Sequence, residues 1–233
     1  CAVAIGGGST TGLGKAIAME SELPILAIPT TYAGSEMTPV YGLTEQGLKR
    51  TGKDPRVLPK TVIYDPSLTL SLPIELSMAQ GLTALVSNAD DYAARSDCLY
   101  GAWLCGTVLG HVGMALHHKL CHTLGGSFNL PHAPTHTVVL PHAIAFNAEA
   151  APEAARRIAR ALGNEQSSPG AALYDLAKRL GAPLKLSELG LTETDLDRAT
   201  DIALANPYWN PRPIEREGIR KLLQDAFEGV RPS

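Results

Sequence analysis

The sequence predicts an α/β part at the N-terminus followed by an all-helical domain. Three short apolar runs, each closed by turn residues, span residues 1–5, 23–28 and 61–64. A helix-compatible stretch separates the first two runs, and strands that alternate with a helix indicate parallel α/β packing. From about residue 76 onward, apolar residues recur at helical spacing instead. We therefore predict domains 1–73 and 74–233.

The helical domain carries recognisable start and stop residues. Ser168 and Pro169 have the residue types of an N-cap and a first helical position, and Gly181 is placed to end that helix. Thr192 and Asp195 have the spacing of a capping box, and Gly229 is predicted to be the C-cap of the last helix. These signals predict helices that pack a bundle core.

Composition excludes several classes of protein. With 45% hydrophobic and 18% charged residues, the chain has enough apolar side chains to form a buried core, which argues against disorder. The net charge of -3 argues against the basic face that nucleic-acid binding needs. Because no run of about 18 apolar residues occurs, we expect no membrane span. Four cysteines without a Cys-x-x-Cys pair fit a reducing cytoplasm, where we expect the protein to reside.

Two loops predict a nucleotide site. Gly6 to Thr10 form a glycine-rich run between the first predicted strand and the helix. Glycine admits a phosphate close to the backbone, and the helix N-terminus offers free N–H groups, although a plain tight turn explains the run equally well. The second strand also ends in a hydroxyl-rich loop, residues 29–36. Ligands of open α/β sheets bind at the carboxyl ends of strands, so the two loops together favour a nucleotide.

Histidines are confined to one stretch of the chain. The seven are His111, His117, His118, His122, His132, His136 and His142. His118 and His122 are four residues apart, so they share one face of a helix that Gly125 and Gly126 are expected to end. The cluster indicates a divalent-metal or proton-transfer site. A single histidine is more often structural, which is what we expect of His111, His136 and His142.

Several of these segments together resemble a known family. Residues 6–15 and 28–36, the histidine block 117–126 with 130–133, and the tail 210–215 resemble the iron-containing alcohol dehydrogenase superfamily, with the strongest likeness to its maleylacetate reductase branch. The resemblance implies a Rossmann-like dinucleotide domain, present only in part here, then a helical domain, with the active site in the cleft between them. It implies NADH or NADPH as cofactor. The implied cofactor residues are Gly7, Gly8, Ser9, Thr10, Thr30, Thr31, Ser35 and Lys49.

The resemblance also implies catalytic histidines. His118 and His132 match two metal ligands of the superfamily, and His122 matches a histidine proposed to relay a proton. Thr83 and Ser87 stand where the superfamily supplies its other two ligands, and neither residue type binds iron or zinc well. We therefore expect no metal, and a reaction supported by His118, His122 and His132 together with Lys119.

The implied reaction is the reduction of maleylacetate, a small dicarboxylate, to 3-oxoadipate in the breakdown of aromatic compounds, by a homodimer. The sequence departs from the superfamily pattern in beginning within an apparent core strand and in lacking several helices after Tyr92. One alternative is therefore a truncated or degenerate relative that folds and self-associates without turnover. A metal-dependent alcohol dehydrogenase is a weaker alternative, disfavoured by Thr83 and Ser87.

Overall fold

A computed structural model of the chain describes residues 1–45, 48–70, 83–163 and 166–233. The chain forms two units, Cys1–Gly113 and Met114–Ser233. The boundary predicted between residues 73 and 74 lies outside the described residues and stays a prediction. A long helix that the sequence assigned to the helical domain, Tyr92–His111, belongs to the first unit.

The first unit is built on a three-stranded parallel sheet. Its strands are β1 (Ala2–Gly6), β2 (Ile25–Pro29) and β5 (Thr61–Val62), in the order β1-β2-β5. Helix α1 (Gly8–Ser21) connects β1 to β2 and packs on the sheet through a small buried cluster of Ala4, Ala18 and Ile25. These parallel strands and the crossover helix confirm the predicted α/β class.

An antiparallel hairpin, which the sequence analysis did not predict, follows in the same unit. Strand β3 (Val40–Glu45) pairs with β4 (Leu48–Lys53), with Val40 opposite Lys53. Strand β4 consists mainly of polar residues and has no alternation of apolar and polar positions, so the periodicity criterion missed it. Short 3₁₀ turns lie at Ser35–Met37, Pro55–Val57 and Pro66–Thr69.

Two helices complete the described part of the first unit, α2 (Thr83–Ser87) and α3 (Tyr92–His111). Asp91 caps α3 by accepting a hydrogen bond from the Ala94 N–H at 3.0 Å. The buried Arg95 guanidinium donates to the carbonyl oxygens of Ala89, at 2.7 Å, and Thr69. The start of α3 is therefore fixed by a cap and by one buried cation.

The second unit is helical. Its helices are α4 (Leu116–Ser127), α5 (His132–Ala148), α6 (Pro152–Ala161), α7 (Pro169–Arg179), α8 (Leu196–Leu204) and α9 (Arg216–Glu228), with 3₁₀ turns at Ser187–Leu189 and Glu193–Asp195. The apolar faces of α4, α5, α8 and α9 meet in one core, in which Leu120, Val139 and Leu223 are fully buried. This arrangement confirms the predicted helical domain.

Capping residues predicted from the sequence lie at helix ends in the structure. Ser168 caps α7 by accepting from the Ala171 N–H at 3.1 Å, and the capping box of Thr192 and Asp195 is present. Gly229 closes α9 with a φ of 75°. Helix α4 ends at Ser127, one residue beyond the two glycines expected to end it.

Within the described ranges, no single helix is long and apolar enough to cross a membrane, although Tyr92–His111 and Leu116–Ser127 satisfy the length and composition criterion as a pair.

Candidate functional site

The glycine-rich loop joins the ends of two neighbouring strands. Gly6 has a φ of +148°, a conformation that side chains rarely permit, and its carbonyl oxygen accepts from the Thr30 N–H at 3.0 Å. Gly7 is the N-cap of α1, and no side chain among the described residues caps this helix end. A Cβ on Gly7 would lie 3.0 Å from Cγ2 of Thr31. The loops after β1 and β2 are thus adjacent, with N–H groups of α1 free to bind an anion.

The structure places most of the predicted cofactor residues together. Those at the glycine-rich loop and the end of β2 are Gly7, Gly8, Ser9, Thr10, Thr30 and Thr31. Ser35 begins a 3₁₀ turn, and its backbone and side-chain oxygens accept from Lys15 rather than standing free. Lys49 lies in β4 opposite Thr44, and its side chain is outside the described part of the chain. Their roles as cofactor ligands stay predictions.

Lys15 is a buried cation that the sequence analysis did not identify. Its Nζ donates to the carbonyl oxygens of Ser35, Thr38 and Val40, at 2.7, 2.9 and 2.6 Å. Burial lowers the pKa of Lys15 to about 8, and the nearby Glu36 carboxyl acts in the opposite direction. A single ammonium group therefore ties α1 to the segment that leads into β3.

Five histidines of the second unit form one cluster. Helix α4 contributes His117, His118 and His122, and α5 contributes His132 and His136. The rings of His118 and His122 lie 6.1 Å apart, centroid to centroid, and those of His132 and His136 lie 4.3 Å apart. The ring of His136 also lies 5.3 Å from that of His118. The three predicted catalytic histidines therefore belong to one cluster, connected through a fourth that the sequence analysis regarded as structural.

Burial keeps several of these imidazoles neutral. It lowers the pKa of His117 to about 4. The pKa of His136 falls to about 2, first through burial and then through the charges of its histidine neighbours. Burial also lowers the pKa of His118. At neutral pH these three rings act as hydrogen-bond donors and acceptors rather than as cations.

A second set of chemically active residues lies at the edge of the cluster. One ring nitrogen from each of His117 and His136 and the Sγ of Cys121 lie within 4.8 Å of one another. Cys121 is 1% exposed and belongs to the helical core. This set was not predicted from the sequence, although His117 and Cys121 are four residues apart in the same way as His118 and His122.

The two remaining histidines stand apart from the cluster in their surroundings. His111 is exposed on α3, and its Nδ1 lies 2.7 Å from the carbonyl oxygen of Thr107, one turn earlier. His142 is 4% exposed, burial lowers its pKa to about 4, and its Nε2 has no hydrogen-bond partner among the described residues.

The positions that the resemblance assigns to a metal do not form a suitable donor set. Ser87 ends α2 as an exposed residue, and the side chain of Thr83 is outside the described residues. Aliphatic hydroxyls are poor ligands for iron or zinc, so His118 and His132 would be left as two imidazoles without the usual third and fourth ligands. The residues present therefore do not fit the superfamily's metal, and its absence stays a prediction.

The first unit also contains a cavity of about 670 Å³, among whose lining residues are Glu36, Tyr64 and Trp103. Glu36 accepts there from the Tyr64 hydroxyl at 2.8 Å. Neither the glycine-rich loop nor the histidine cluster is among the described residues that line this cavity. We therefore do not assign it a part in the candidate site.

Comparison with protein families gives two matches that together cover most of the chain. Residues 1–66 match the iron-containing alcohol dehydrogenase family, and residues 74–227 match the C-terminal part of the Fe-containing alcohol dehydrogenase family.

Individual relatives are similar over the whole chain. A maleylacetate reductase of Burkholderia cepacia is 57% identical over 267 aligned positions, which cover 100% of this chain and 75% of the relative. One from Sphingobium indicum is 51% identical with the same coverage. The crystal structure of maleylacetate reductase from Rhizobium sp. strain MTP-10005 superposes with a TM-score of 0.93 at 49% identity, over 100% of this chain and 75% of that one. The alignment with the Burkholderia cepacia protein spans 267 positions, whereas this chain has 233 residues, so that relative has residues within the matched range that this chain lacks.

Proposed function

The chain belongs to the iron-containing alcohol dehydrogenase family, and on that premise we propose that it reduces maleylacetate to 3-oxoadipate with NADH or NADPH. The observation that carries this proposal is the histidine cluster on α4 and α5, which contains all three candidate catalytic residues. The relatives named maleylacetate reductase support the choice of substrate.

The glycine-rich loop of the first unit would hold the cofactor. The uncapped N–H groups at the start of α1 suit the negative charge of a pyrophosphate, and Ser9 and Thr10 add hydroxyl donors beside them. The hydroxyls of Thr30 and Thr31, directly after β2, would line the same nucleotide. Bound reduced nicotinamide supplies the hydride.

The histidines would complete the reduction. Hydride transfer to the electron-poor carbon of the conjugated double bond moves an electron pair onto the ketone oxygen, and a proton must then reach the resulting enolate. We assign that proton transfer to His122, and assign hydrogen bonds to the developing oxyanion to His118 and His132. Because burial keeps His118 neutral, it would stabilise this oxygen as an N–H donor and not as a fixed positive charge.

No metal step enters this mechanism, because the donor set around His118 and His132 is incomplete. The reaction rate should therefore be unchanged after dialysis against a chelator. A loss of activity that added Fe²⁺ or Zn²⁺ restores would instead favour the metal-dependent alcohol dehydrogenase alternative.

The proposal is tested by measuring the oxidation of NADH and of NADPH in the presence of maleylacetate. Replacing the candidate acid, His122→Ala, should lower kcat by about 10²–10⁴-fold with a smaller effect on cofactor affinity. The matched control is His111→Ala, since this exposed histidine bonds only within its own helix turn among the described contacts. A folded His122→Ala protein with wild-type kcat would rule out the assigned role.

A second candidate function is self-association without turnover. Val3 and Ile5 on β1 are 57% and 58% exposed, and Leu13 and Ile17 on α1 are also exposed. Strand β1 lies at one edge of the sheet, and an exposed apolar edge favours pairing with another chain. A dimer in light scattering combined with no turnover of maleylacetate would support this alternative, whereas turnover would refute it. The homodimeric state itself stays a prediction in either case.

A further inference from the structure

We propose that His117, Cys121 and His136 form a binding site for a thiophilic cation of the zinc class, at the edge of the histidine cluster and with a ligand set that includes neither His118 nor His132. The site does not depend on the reductase activity. It is defined by side chains of α4 and α5 alone, within the second unit.

The three side chains converge on one point. His117 and Cys121 lie one turn apart on α4, so they share a face, and His136 meets them from α5. Their ligand atoms lie within 4.8 Å of one another. Zinc bonds of about 2.3 Å to sulfur and 2.0–2.1 Å to nitrogen place tetrahedral ligand atoms roughly 3.3–3.6 Å apart. A contraction of about 1 Å, through side-chain rotation, would therefore close the site.

The side chain of His136 contains an unsatisfied polar atom. Its Nε2 is buried and has no hydrogen-bond partner among the described residues. Leaving a buried polar atom without a partner costs about 1–3 kcal/mol, and such atoms in a native structure call for an explanation such as a missing ion. A bond from this nitrogen to a cation would satisfy it.

His117 is held in the protonation state that a ligand needs. Its Nε2 lies 3.2 Å from the backbone carbonyl oxygen of His136. Because a carbonyl oxygen only accepts hydrogen bonds, Nε2 carries the proton and Nδ1 keeps the lone pair. A backbone carbonyl that orients a histidine in this way is the usual support of a metal-binding imidazole.

The ligand types select the class of cation. Two imidazoles and one thiolate suit zinc and cadmium, whereas magnesium and calcium require oxygen ligands. Burial raises the pKa of the Cys121 thiol, so the thiol is protonated before a metal binds. The sulfur–hydrogen bond then breaks as the metal–sulfur bond forms, and one proton passes to the buffer.

The experiment titrates the full chain, freed of metal, with Zn²⁺ alone in an isothermal calorimeter. We expect one ion per chain and, from buffers of different ionisation enthalpy, the release of about one proton per ion. Cys121→Ala and His136→Ala should each weaken binding by roughly 100-fold or more, because two ligands hold zinc poorly. Cys98→Ala, which removes another buried cysteine but lies in α3 of the first unit, should bind as the wild type does.

Two results would overturn the proposal. If His132→Ala abolished zinc binding while Cys121→Ala preserved it, the ion would occupy the superfamily's own histidine positions. The second result needs no variant and so does not depend on whether a variant folds. Wild-type protein loaded with Co²⁺ should show a thiolate-to-cobalt charge-transfer band, and its absence would exclude Cys121 as a ligand.

Discussion

Gly8, the first residue of α1, provides the most direct test of the cofactor site. It follows the N-cap Gly7, so its N–H has no partner within the helix, and no side chain among the described residues caps this helix end. A Cβ built on Gly8 would lie 3.4 Å from the Cβ of Ala33, which is an ordinary van der Waals contact. Gly8→Val should therefore fold, while its added methyl groups occupy the space through which a phosphate approaches the backbone.

The expected loss follows from the hydrogen bonds that this approach permits. A hydrogen bond to a charged group contributes about 1.5–3 kcal/mol. Losing one such bond to the pyrophosphate should raise the Kd for NADH or NADPH by about 10- to 150-fold. The effect on the free energy of unfolding should stay below about 1 kcal/mol, the difference in helix propensity between these residue types.

Calorimetry of cofactor binding to the two proteins measures the effect. Gly12→Ala is the matched control, because Gly12 lies in the same helix. Outside that helix's own backbone and the neighbouring residues, no described atom lies within 4 Å of a Cβ added at Gly12. That control should bind cofactor normally and gain up to about 1 kcal/mol of stability. Wild-type cofactor affinity in Gly8→Val would refute the assignment of the loop.

Two further predictions concern buried polar residues. Because burial lowers the pKa of His142 to about 4, only the unfolded chain takes up a proton on this residue as the pH falls below about 6.5. The contribution of His142 to the free energy of unfolding should therefore fall by about 2 kcal/mol between pH 7.5 and pH 5. In urea titrations of His142→Leu, the free energy of unfolding should lose about 2 kcal/mol less over this pH range than in the wild type. An unchanged pH dependence would contradict the reasoning. Lys15→Met removes the ammonium donor from the carbonyl oxygens of Ser35, Thr38 and Val40 and should destabilise the fold by about 2–4 kcal/mol, although the Ser35 oxygen keeps the hydrogen bonds from Thr38. Urea denaturation measures this change, and a loss below about 1 kcal/mol would show that other donors replace the ammonium.

Local signals predicted the fold where one residue decides an element's end. The side-chain oxygen of Ser168 is enough to cap a helix N-terminus, and the positive φ angle of Gly229 is enough to end a helix. Neither effect depends on contacts with distant parts of the chain. The hairpin of β3 and β4 was missed because pairing between two strands, and not the periodicity of either, holds it together. Tertiary contacts override local preference in such elements.

In the candidate site, too, local spacing predicted some contacts, whereas others depend on how two helices pack. Spacing along one helix placed His118 and His122 together, as α4 confirms. The place of His136 depends on how α5 packs against α4, which no spacing within α4 reveals. His136 belongs to no matched motif, but it lies four residues after His132, so helical spacing along α5 places the two on one face.

The three carbonyl oxygens gathered around Lys15 limit which residues this position tolerates. A tetrahedral ammonium can direct its three hydrogens towards three oxygens that converge on one atom, as those of Ser35, Thr38 and Val40 do. A guanidinium spreads its donors in a flat fork and cannot match that convergence, so arginine is no conservative replacement here. Efforts to redesign cofactor preference around the glycine-rich loop should therefore keep this lysine fixed and vary the residues that surround it.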